Sequence, residues 1–233
     1  KANNCCSVTC RSGKDNFSKY KVNKVQIKIC GVKDLDIAKH AISCGASFLG
    51  FIFFETSKRN ISTNKCSEIL NEISGEINTV AVTVNPSNED LEKYSKMKFT
   101  HLQLHGNESL KEVIKIKKNY NFKIIKSFNI LSESDLINIK KYCNYVDHIL
   151  LDSKKTKGMP GGTGEKFDWE IIRNFSTNKP FFLSGGLNSS NISDAISMKI
   201  TNYYDVSSGV ENSEGIKDEK LISEFISKVK KAS

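Results

Sequence analysis

Polar side chains that could do chemistry stand where short apolar runs of this chain end. Cys30 is the first of them, at the end of a run that starts at Ile27, and the others share this placement. They are Arg59, Asn85, His105, Ser127, Asp152, Ser184 and Ser207. Thiol, guanidinium, imidazole and carboxyl groups can transfer protons or bind anions, so bringing them together would make a polar site. Their placement locates a candidate site but names no reaction.

Two loops rich in serine and glycine near the C-terminus provide a candidate phosphate site. One contains Gly185 and Gly186, and the other contains Ser207, Ser208 and Gly209. Small residues let backbone N–H groups converge on an anion, and a helix that starts there would add its dipole. Two tight turns without a ligand are the alternative. Two such loops side by side favour phosphate.

The apolar runs alternate with segments of helical periodicity from residue 25 onward. The runs read as strands at 25–29, 48–53, 79–84, 100–104, 123–128, 147–151, 181–183 and 203–206. Helical patterns cover 33–44, 87–97, 108–119, 132–143, 188–197 and 217–230. Strands that are apolar on nearly every residue are typical of a parallel sheet covered on both faces.

Eight strand–helix units in succession predict an α/β fold, a (β/α)8 TIM barrel, with residues 25–233 as one domain. The alternative is a doubly wound open sheet. Its dinucleotide-binding version is disfavoured because no Gly-x-Gly-x-x-Gly follows a strand. In a barrel, the ends of the strands meet at one face, where active sites form.

Two further expectations come from the loops and from strand parity. Gly158, Gly161, Gly162 and Gly164 make the loop after the sixth strand a candidate mobile lid. If Cys30 points into the barrel, Lys28 points inward one layer deeper and needs a partner. Asp205 on the neighbouring eighth strand would supply it, so we predict an ion pair between Lys28 and Asp205.

Composition and charge exclude several classes of protein. The 233 residues carry a net charge of +9, but residues 1–24 hold six of the 35 basic and one of the 26 acidic residues. The rest is therefore only weakly basic, which disfavours a nucleic-acid-binding protein. No apolar run approaches the ~20 residues of a membrane span. Seven cysteines at no metal-ligand spacing suit a reducing compartment, and we expect a cytoplasmic protein.

Residues 1–24 stand apart from the barrel pattern as a basic extension. They are rich in Ser, Asn, Cys and Lys and show no hydrophobic period. We interpret them as a disordered or loosely attached extension. A remnant of a plastid or other organelle-targeting peptide is the alternative, since such segments are basic and poor in acids.

From residue 25 to about residue 229, the chain resembles the phosphoribosylanthranilate isomerase family of tryptophan biosynthesis. Ten short motifs in one order carry the resemblance. They lie at 28–31, 50–53, 57–59, 82–85, 103–106, 150–153, 161–164, 167–169, 183–187 and 205–211. The resemblance implies an Amadori rearrangement of N-(5-phosphoribosyl)anthranilate to 1-(2-carboxyphenylamino)-1-deoxyribulose 5-phosphate by general acid–base catalysis.

The resemblance also implies roles for individual residues. Asp152 is the expected acid, Cys30 the expected base, Arg59 the ligand of the anthranilate carboxylate, and His105 a lining residue. Asp152 would need a pKa raised from about 3.9 to hold a proton near pH 7, and a neighbouring cation would increase the thiolate fraction of Cys30, whose ordinary pKa is about 8.5. Without the resemblance, Cys30 would read as a buried structural thiol, Asp152 as a cap or turn residue, and Arg59 as a solvated arginine.

The ligand is therefore expected to be a small phosphosugar, with no metal, nucleotide or organic cofactor, because proton transfer suffices. We expect a monomer or a homodimer, with no membrane and no nucleic-acid partner. Another phosphosugar enzyme on the same barrel, such as indole-glycerol-phosphate synthase, is an alternative. That family is expected to need lysine and glutamate where this chain has Cys30 and Asp152. A nucleic-acid-binding module driven by the basic extension is a second alternative, but interleaved aromatic residues are missing.

Overall fold

Eight parallel strands close into one barrel, in which the last strand pairs with the first. The computed structural model describes residues 24–153, except 74 and 76, and residues 169–233. The strands are β1 (Gln26–Cys30), β2 (Phe48–Phe53), β3 (Asn78–Thr83), β4 (His101–Leu104), β5 (Lys123–Ile130), β6 (His148–Ser153), β7 (Phe181–Leu183) and β8 (Tyr203–Val206). The predicted barrel is confirmed, and the open doubly wound sheet is wrong.

Helices alternate with these strands along the part of the chain that the structure describes. The α-helices are α1 (Leu35–Cys44), α2 (Thr63–Ile73), α3 (Asn88–Ser95), α4 (Leu110–Asn119), α5 (Glu133–Ile137), α6 (Ile192–Ser197) and α7 (Glu219–Ala232). Short 3-10 helices cover Asn138–Tyr142 and Trp169–Ile172. No helix in the described residues is long and apolar enough to cross a bilayer.

The predicted strands differ from the observed ones only at their ends. The largest differences are at β5, which runs two residues further than predicted, and at β6, which includes Asp152 and Ser153. The two extensions pair with each other, Asn129 opposite Asp152 and Ile130 opposite Ser153. Ser127, predicted to end the fifth strand, therefore lies inside β5 and is buried.

Two predicted helices are shorter than their sequence patterns. The predicted helix at 188–197 starts only at Ile192, because Asn188 uses its side-chain oxygen to accept hydrogen bonds from the backbone N–H and hydroxyl of Ser190. Asparagine favours such turns over a helical first turn. The predicted helix at 132–143 is α5 followed by the first 3-10 helix.

A small antiparallel hairpin lies between β8 and α7, where the sequence suggested no strand. It consists of β9 (Glu211–Ser213) and β10 (Ile216–Lys217). A side chain at Gly215, in its turn, would meet the backbone oxygen of Lys58 at 2.6 Å. The hairpin therefore packs against the loop that follows β2.

The core has an outer layer and a lumen. Buried aliphatic residues fill the space between the strands and the helices. The lumen is filled by inward-facing residues, which are Cys30, Phe48, Val80, Val82, Ile125, Leu150 and Phe182. Below them, at the amino ends of the strands, His101 and His148 pack with their ring centroids 5.4 Å apart and contact Phe48.

The predicted ion pair between strands β1 and β8 is confirmed. Lys28 and Asp205 are opposite each other in the register, and Lys28 Nζ lies 2.8 Å from Asp205 Oδ1. Lys28 is fully buried. A buried cation without such a partner would cost several kcal/mol, on the order of the desolvation penalty of a single ion.

Two predictions concern residues outside those that the structure describes. The extension at 1–24 lies outside them except for Lys24, and the candidate lid with Gly158, Gly161, Gly162 and Gly164 lies outside them entirely.

Candidate active site

Cys30 is held at the mouth of the barrel by the pairing of β1 with β2. It is the last residue of β1, lies opposite Gly50, and is 5% exposed. A side chain at Gly50 would come within 2.9 Å of the Cys30 sulfur. The thiol therefore occupies the space that a larger residue in β2 would take.

Lys28 places a positive charge next to Cys30, as the strand parity predicted. Burial raises the pKa of the Cys30 thiol, and the positive charge of Lys28 opposes that rise without cancelling it. Burial would lower the pKa of Lys28, but attraction to Asp205 outweighs it and raises that pKa. The site therefore holds a thiol above a buried cation, and the effect of burial on the Cys30 pKa is larger than the effect of that cation.

Arg59 reaches the same part of the mouth from the loop after β2. Gly31 has a φ of +84°, and a side chain there would meet the Arg59 Cδ atom at 2.9 Å. Glycine at this position is thus required by both the backbone and the arginine. The guanidinium donates from Nε to Glu211 Oε1 and from Nη2 to Glu211 Oε2, both at 2.7 Å. These bonds raise the pKa of Arg59.

Glu211 connects Arg59 to a second cation on the hairpin. Lys217 Nζ lies 2.6 Å from Glu211 Oε1 and also donates to the Ser207 carbonyl at 3.0 Å. The Ser207 hydroxyl donates to the carbonyl of Cys30 at 3.0 Å. Burial alone would raise the pKa of Glu211, but hydrogen bonds from Arg59 and Lys217 lower it to about 2.

Asp152 and His105 meet on the opposite side of the mouth. His105 Nε2 lies 3.5 Å from Asp152 Oδ2, and the two side chains are 30% and 23% exposed. The buried Gln103 places its amide nitrogen 2.8 Å from His105 Nδ1. With the amide nitrogen as the donor, Nδ1 is the acceptor, and a neutral imidazole then carries its proton on Nε2, the atom that faces Asp152. Gln103 thus orients His105 toward the carboxylate.

The two glycine-rich loops after β7 and β8 lie side by side. Asn188 and Gly209 form a β-bridge between them. Gly185 and Gly186 have φ values of +88° and +69°, a conformation that side chains disfavour. Ser184 donates its hydroxyl to Asp205 at 3.1 Å, which ties the first loop to the ion pair below the site.

Asn85, predicted as one of the polar residues at the strand ends, makes hydrogen bonds that stabilise the neighbouring loop. Its backbone N–H donates to Glu108 Oε1 at 2.8 Å, and its side-chain oxygen accepts from the backbone of Asn107. Glu108 is buried and also contacts Lys126, with Nζ 3.0 Å from Oε2. This buried pair fixes the loop that carries His105.

Three residues of the site were not predicted from the sequence, namely Glu211, Lys217 and Gln103. Gln103 could have been found, because it lies two residues before His105 on a strand and so shares its face. Glu211 falls within the motif at 205–211, but no pattern linked it to Arg59. The link depends on a hairpin with no strand-like sequence.

The site combines three features that together suit an anionic sugar substrate. A thiol and a carboxyl face one mouth, an arginine lies beside the thiol, and two small-residue loops complete the rim. Within the described part of the chain, no three side chains of His, Cys, Asp and Glu could together hold a metal ion.

Comparisons with known proteins agree with this geometry. The model of the family "N-(5′-phosphoribosyl)anthranilate (PRA) isomerase" matches residues 27–228. An N-(5′-phosphoribosyl)anthranilate isomerase from Sinorhizobium fredii is 40% identical over 212 residues, which cover 90% of this chain and 95% of the relative.

Solved structures give the same result. Phosphoribosyl anthranilate isomerase from Thermotoga maritima, called dimeric in a second structure, aligns with a TM-score of 0.79 and 35% identity, covering 89% of this chain and 99% of its own. A phosphoribosyl anthranilate isomerase in complex with reduced 1-(o-carboxyphenylamino)-1-deoxyribulose 5-phosphate aligns with a TM-score of 0.77 and 33% identity, with the same coverages. The similarity spans nearly the whole barrel.

Proposed function

Because this chain belongs to the N-(5′-phosphoribosyl)anthranilate isomerase family, we propose that it converts N-(5-phosphoribosyl)anthranilate to 1-(2-carboxyphenylamino)-1-deoxyribulose 5-phosphate. The reaction is the isomerase step of tryptophan biosynthesis, an Amadori rearrangement of an aminoaldose to an aminoketose. The observation that carries the assignment is the family match over residues 27–228, with Cys30 and Asp152 both at the barrel mouth.

The first step is ring opening with Asp152 as the acid. Asp152 gives a proton to the furanose ring oxygen, the bond from that oxygen to C1 breaks, and the nitrogen lone pair forms a protonated Schiff base. The partial exposure of Asp152 at the mouth supports contact with a substrate. His105, whose Nε2 lies 3.5 Å from the same carboxyl group, lines this side of the site.

The second step is removal of the C2 proton with Cys30 as the base. The protonated Schiff base withdraws electrons from C2, so its proton becomes acidic enough for a thiolate to remove. The electrons of the C–H bond form the enolamine, which tautomerises to the ketone. Lys28, beneath Cys30, stabilises the thiolate, and its partner Asp205 keeps it in place.

The two ends of the substrate are bound by two different groups of residues on the rim. Arg59 binds the anthranilate carboxylate, because a guanidinium can donate two parallel hydrogen bonds to a planar anion. Gly185, Gly186, Ser207, Ser208 and Gly209 bind the phosphate through backbone N–H groups and hydroxyls. The bridge between the two loops supports a single shared phosphate site.

Turnover of phosphoribosylanthranilate, followed by loss of its fluorescence, tests the proposal. The wild type should be active, and Cys30→Ser and Asp152→Asn should each lose at least about a hundredfold in kcat, as expected for loss of a general base or acid. Circular dichroism checks that both variants fold. An active wild type whose Cys30→Ser variant keeps its rate would place the base elsewhere, and an inactive wild type would contradict the function.

Three further expectations remain proposals about the whole protein. We propose a monomer or a homodimer with residues 25–233 as one domain and residues 1–24 as an extension. An assembly larger than a dimer, detected by sedimentation equilibrium, would contradict this proposal. The expected compartment is the cytoplasm, with an organelle as the alternative. A fluorescent reporter fused behind residues 1–24 distinguishes the two.

A further inference from the structure

We propose that Glu211 is a positioning residue that holds one edge of the Arg59 guanidinium so that the other edge is presented to the carboxylate of the substrate. This inference rests on the proposed carboxylate-binding role of Arg59. It assigns to the β9–β10 hairpin a part in recognising the anthranilate group.

The geometry of the guanidinium divides its donors into two groups. Arginine has five N–H groups in one plane, on Nε, Nη1 and Nη2. Glu211 takes the Nε–H and one Nη2–H, in the bidentate arrangement given above. One N–H of Nη1 and the second N–H of Nη2 form the end edge, and the other N–H of Nη1 points along the Cδ side. Among the described residues, no hydrogen bond uses Nη1, so this edge can take a second carboxylate side by side.

Glu211 is held too firmly to be displaced by the substrate. Besides Arg59, its carboxylate accepts from Lys217 at 2.6 Å and from the backbone N–H of Gly215 at 3.0 Å, and its side chain is 3% exposed. Charge-assisted hydrogen bonds are stronger than those between neutral groups, so breaking both bonds to Arg59 would be costly. A carboxylate that binds the end edge avoids that cost.

Lys217 keeps the site positive while Glu211 is present. Arg59 and Glu211 together would be neutral, and Lys217 restores one positive charge to the group. The aliphatic stem of Arg59 packs against Gly31, so the side chain is held at its stem as well as at the edge that Glu211 binds. A fixed and positively charged edge distinguishes substrates that carry a carboxylate from those that do not.

Ligand discrimination tests this role. The probes are reduced 1-(o-carboxyphenylamino)-1-deoxyribulose 5-phosphate and the matching phenylamino compound without the carboxylate. Calorimetry gives the two dissociation constants, and their ratio measures recognition of the carboxylate. In Glu211→Gln, which keeps the shape but loses the charge, we expect the ratio to fall by about tenfold or more, as loss of one charge-assisted contact would produce.

Matched variants separate the possible results. Glu224→Gln removes the same charge from an exposed ion pair with Lys228 on α7 and should keep the wild-type ratio. Arg59→Ala should abolish the discrimination. If Arg59→Ala leaves the ratio unchanged, the proposed role of Arg59 fails. If Arg59→Ala lowers the ratio but Glu211→Gln does not, the role of Glu211 fails while that of Arg59 stands.

A purely structural role of Glu211 would weaken both ligands equally and leave the ratio unchanged. If Glu211→Gln does not fold, Glu211→Asp replaces it. Its shorter carboxylate cannot reach Arg59 and Lys217 together, so the expected ratio is below that of the wild type. A wild-type ratio in Glu211→Asp would then overturn the inference.

Discussion

At the scale of residues, the protonation of Cys30 depends on a fully buried cation next to it. Burial favours the neutral thiol, and Lys28 is the main group that opposes it. The sequence predicted this pairing from strand parity alone, because residues two apart on β1 must face the same way. It could not predict which effect is larger, since that depends on how completely the barrel covers the thiol.

Replacing Lys28 should therefore make Cys30 less reactive. In Lys28→Met the pKa of Cys30 should rise further, and alkylation of Cys30 by iodoacetamide at pH 8 should slow several-fold, because only the thiolate reacts. Mass spectrometry of the Cys30 peptide measures the rate, and Cys44 in the same chain serves as the control. An unchanged rate would show that Lys28 does not act on the thiol.

Stability must be separated from this electrostatic effect. Lys28→Met leaves Asp205 buried without its cation, which should cost about 3–5 kcal/mol in the free energy of unfolding. The double variant Lys28→Met/Asp205→Asn should recover part of that loss, measured by urea unfolding. Because the double variant still lacks the cation, its Cys30 should stay slow to alkylate.

At the scale of elements, the buried pair of Glu108 and Lys126 connects the ends of β3, β4 and β5. Lys126 also donates to the carbonyls of Leu104 and Gly106, so one ammonium group holds both sides of the turn that contains His105. Burial lowers the pKa of Lys126, yet Glu108 at 3.0 Å favours its charged form. The ion pair of Lys126 and Glu108 therefore stabilises the turn in which His105 faces Asp152.

Lys126→Met should both destabilise the barrel and lower turnover. The unpaired Glu108 should cost about 3–5 kcal/mol in the free energy of unfolding, whereas Lys93→Met, at the exposed pair with Glu89, should leave that free energy nearly unchanged. Urea unfolding measures the free energy of unfolding of each variant, and a fall in kcat reports that His105 has been displaced. Equal losses in the two variants would contradict the supporting role of Lys126.

The sequence predicted strands better than the other elements for a physical reason. A strand covered on both faces must be apolar throughout, so β2, β7 and β8 were predicted with their observed bounds. The ends of β5 and β6 contain the polar residues Asn129 and Asp152, which pair across the two strands. Their strand conformation is set by the register, which a single segment of sequence does not contain.

At the scale of the whole molecule, the two ends of the barrel have opposite characters. The carboxyl ends of the strands form the polar site, and the amino ends are closed by a plug of aromatic rings that includes His101 and His148. Burial lowers the pKa of His101 to about 3 and that of His148 to about 4, from an ordinary 6.5. Near neutral pH, the folded protein therefore keeps the imidazole rings of His101 and His148 uncharged.

The plug should make the stability depend on pH. The unfolded chain protonates these histidines below pH 6.5 while the folded chain does not, so stability is full above that pH and is lost as pH falls toward 4. Between pH 7 and pH 5 each histidine should remove about 2 kcal/mol from the free energy of unfolding.

His148→Phe should weaken this dependence. Phenylalanine cannot take a proton and suits a site already lined by Phe48 and Phe182, so about half of the loss due to the two histidines should disappear. Urea unfolding at both pH values, with wild type and His148→Phe compared, gives the result. A pH dependence identical in the two proteins would mean that His148 is already charged in the folded state.

The closure of the barrel by β1 and β8 has a consequence for synthesis on the ribosome. Lys28 and Asp205 are 177 positions apart, and the partners of Cys30 and Arg59 at Ser207, Glu211 and Lys217 emerge later still. Until Asp205 is translated, Lys28 lacks the counter-ion that it has in the folded barrel, and burying Lys28 is unfavourable. An incomplete barrel that buries Lys28 is therefore unstable during translation. We expect catalytic activity only once the last barrel strand, β8, and the residues that follow it have been made.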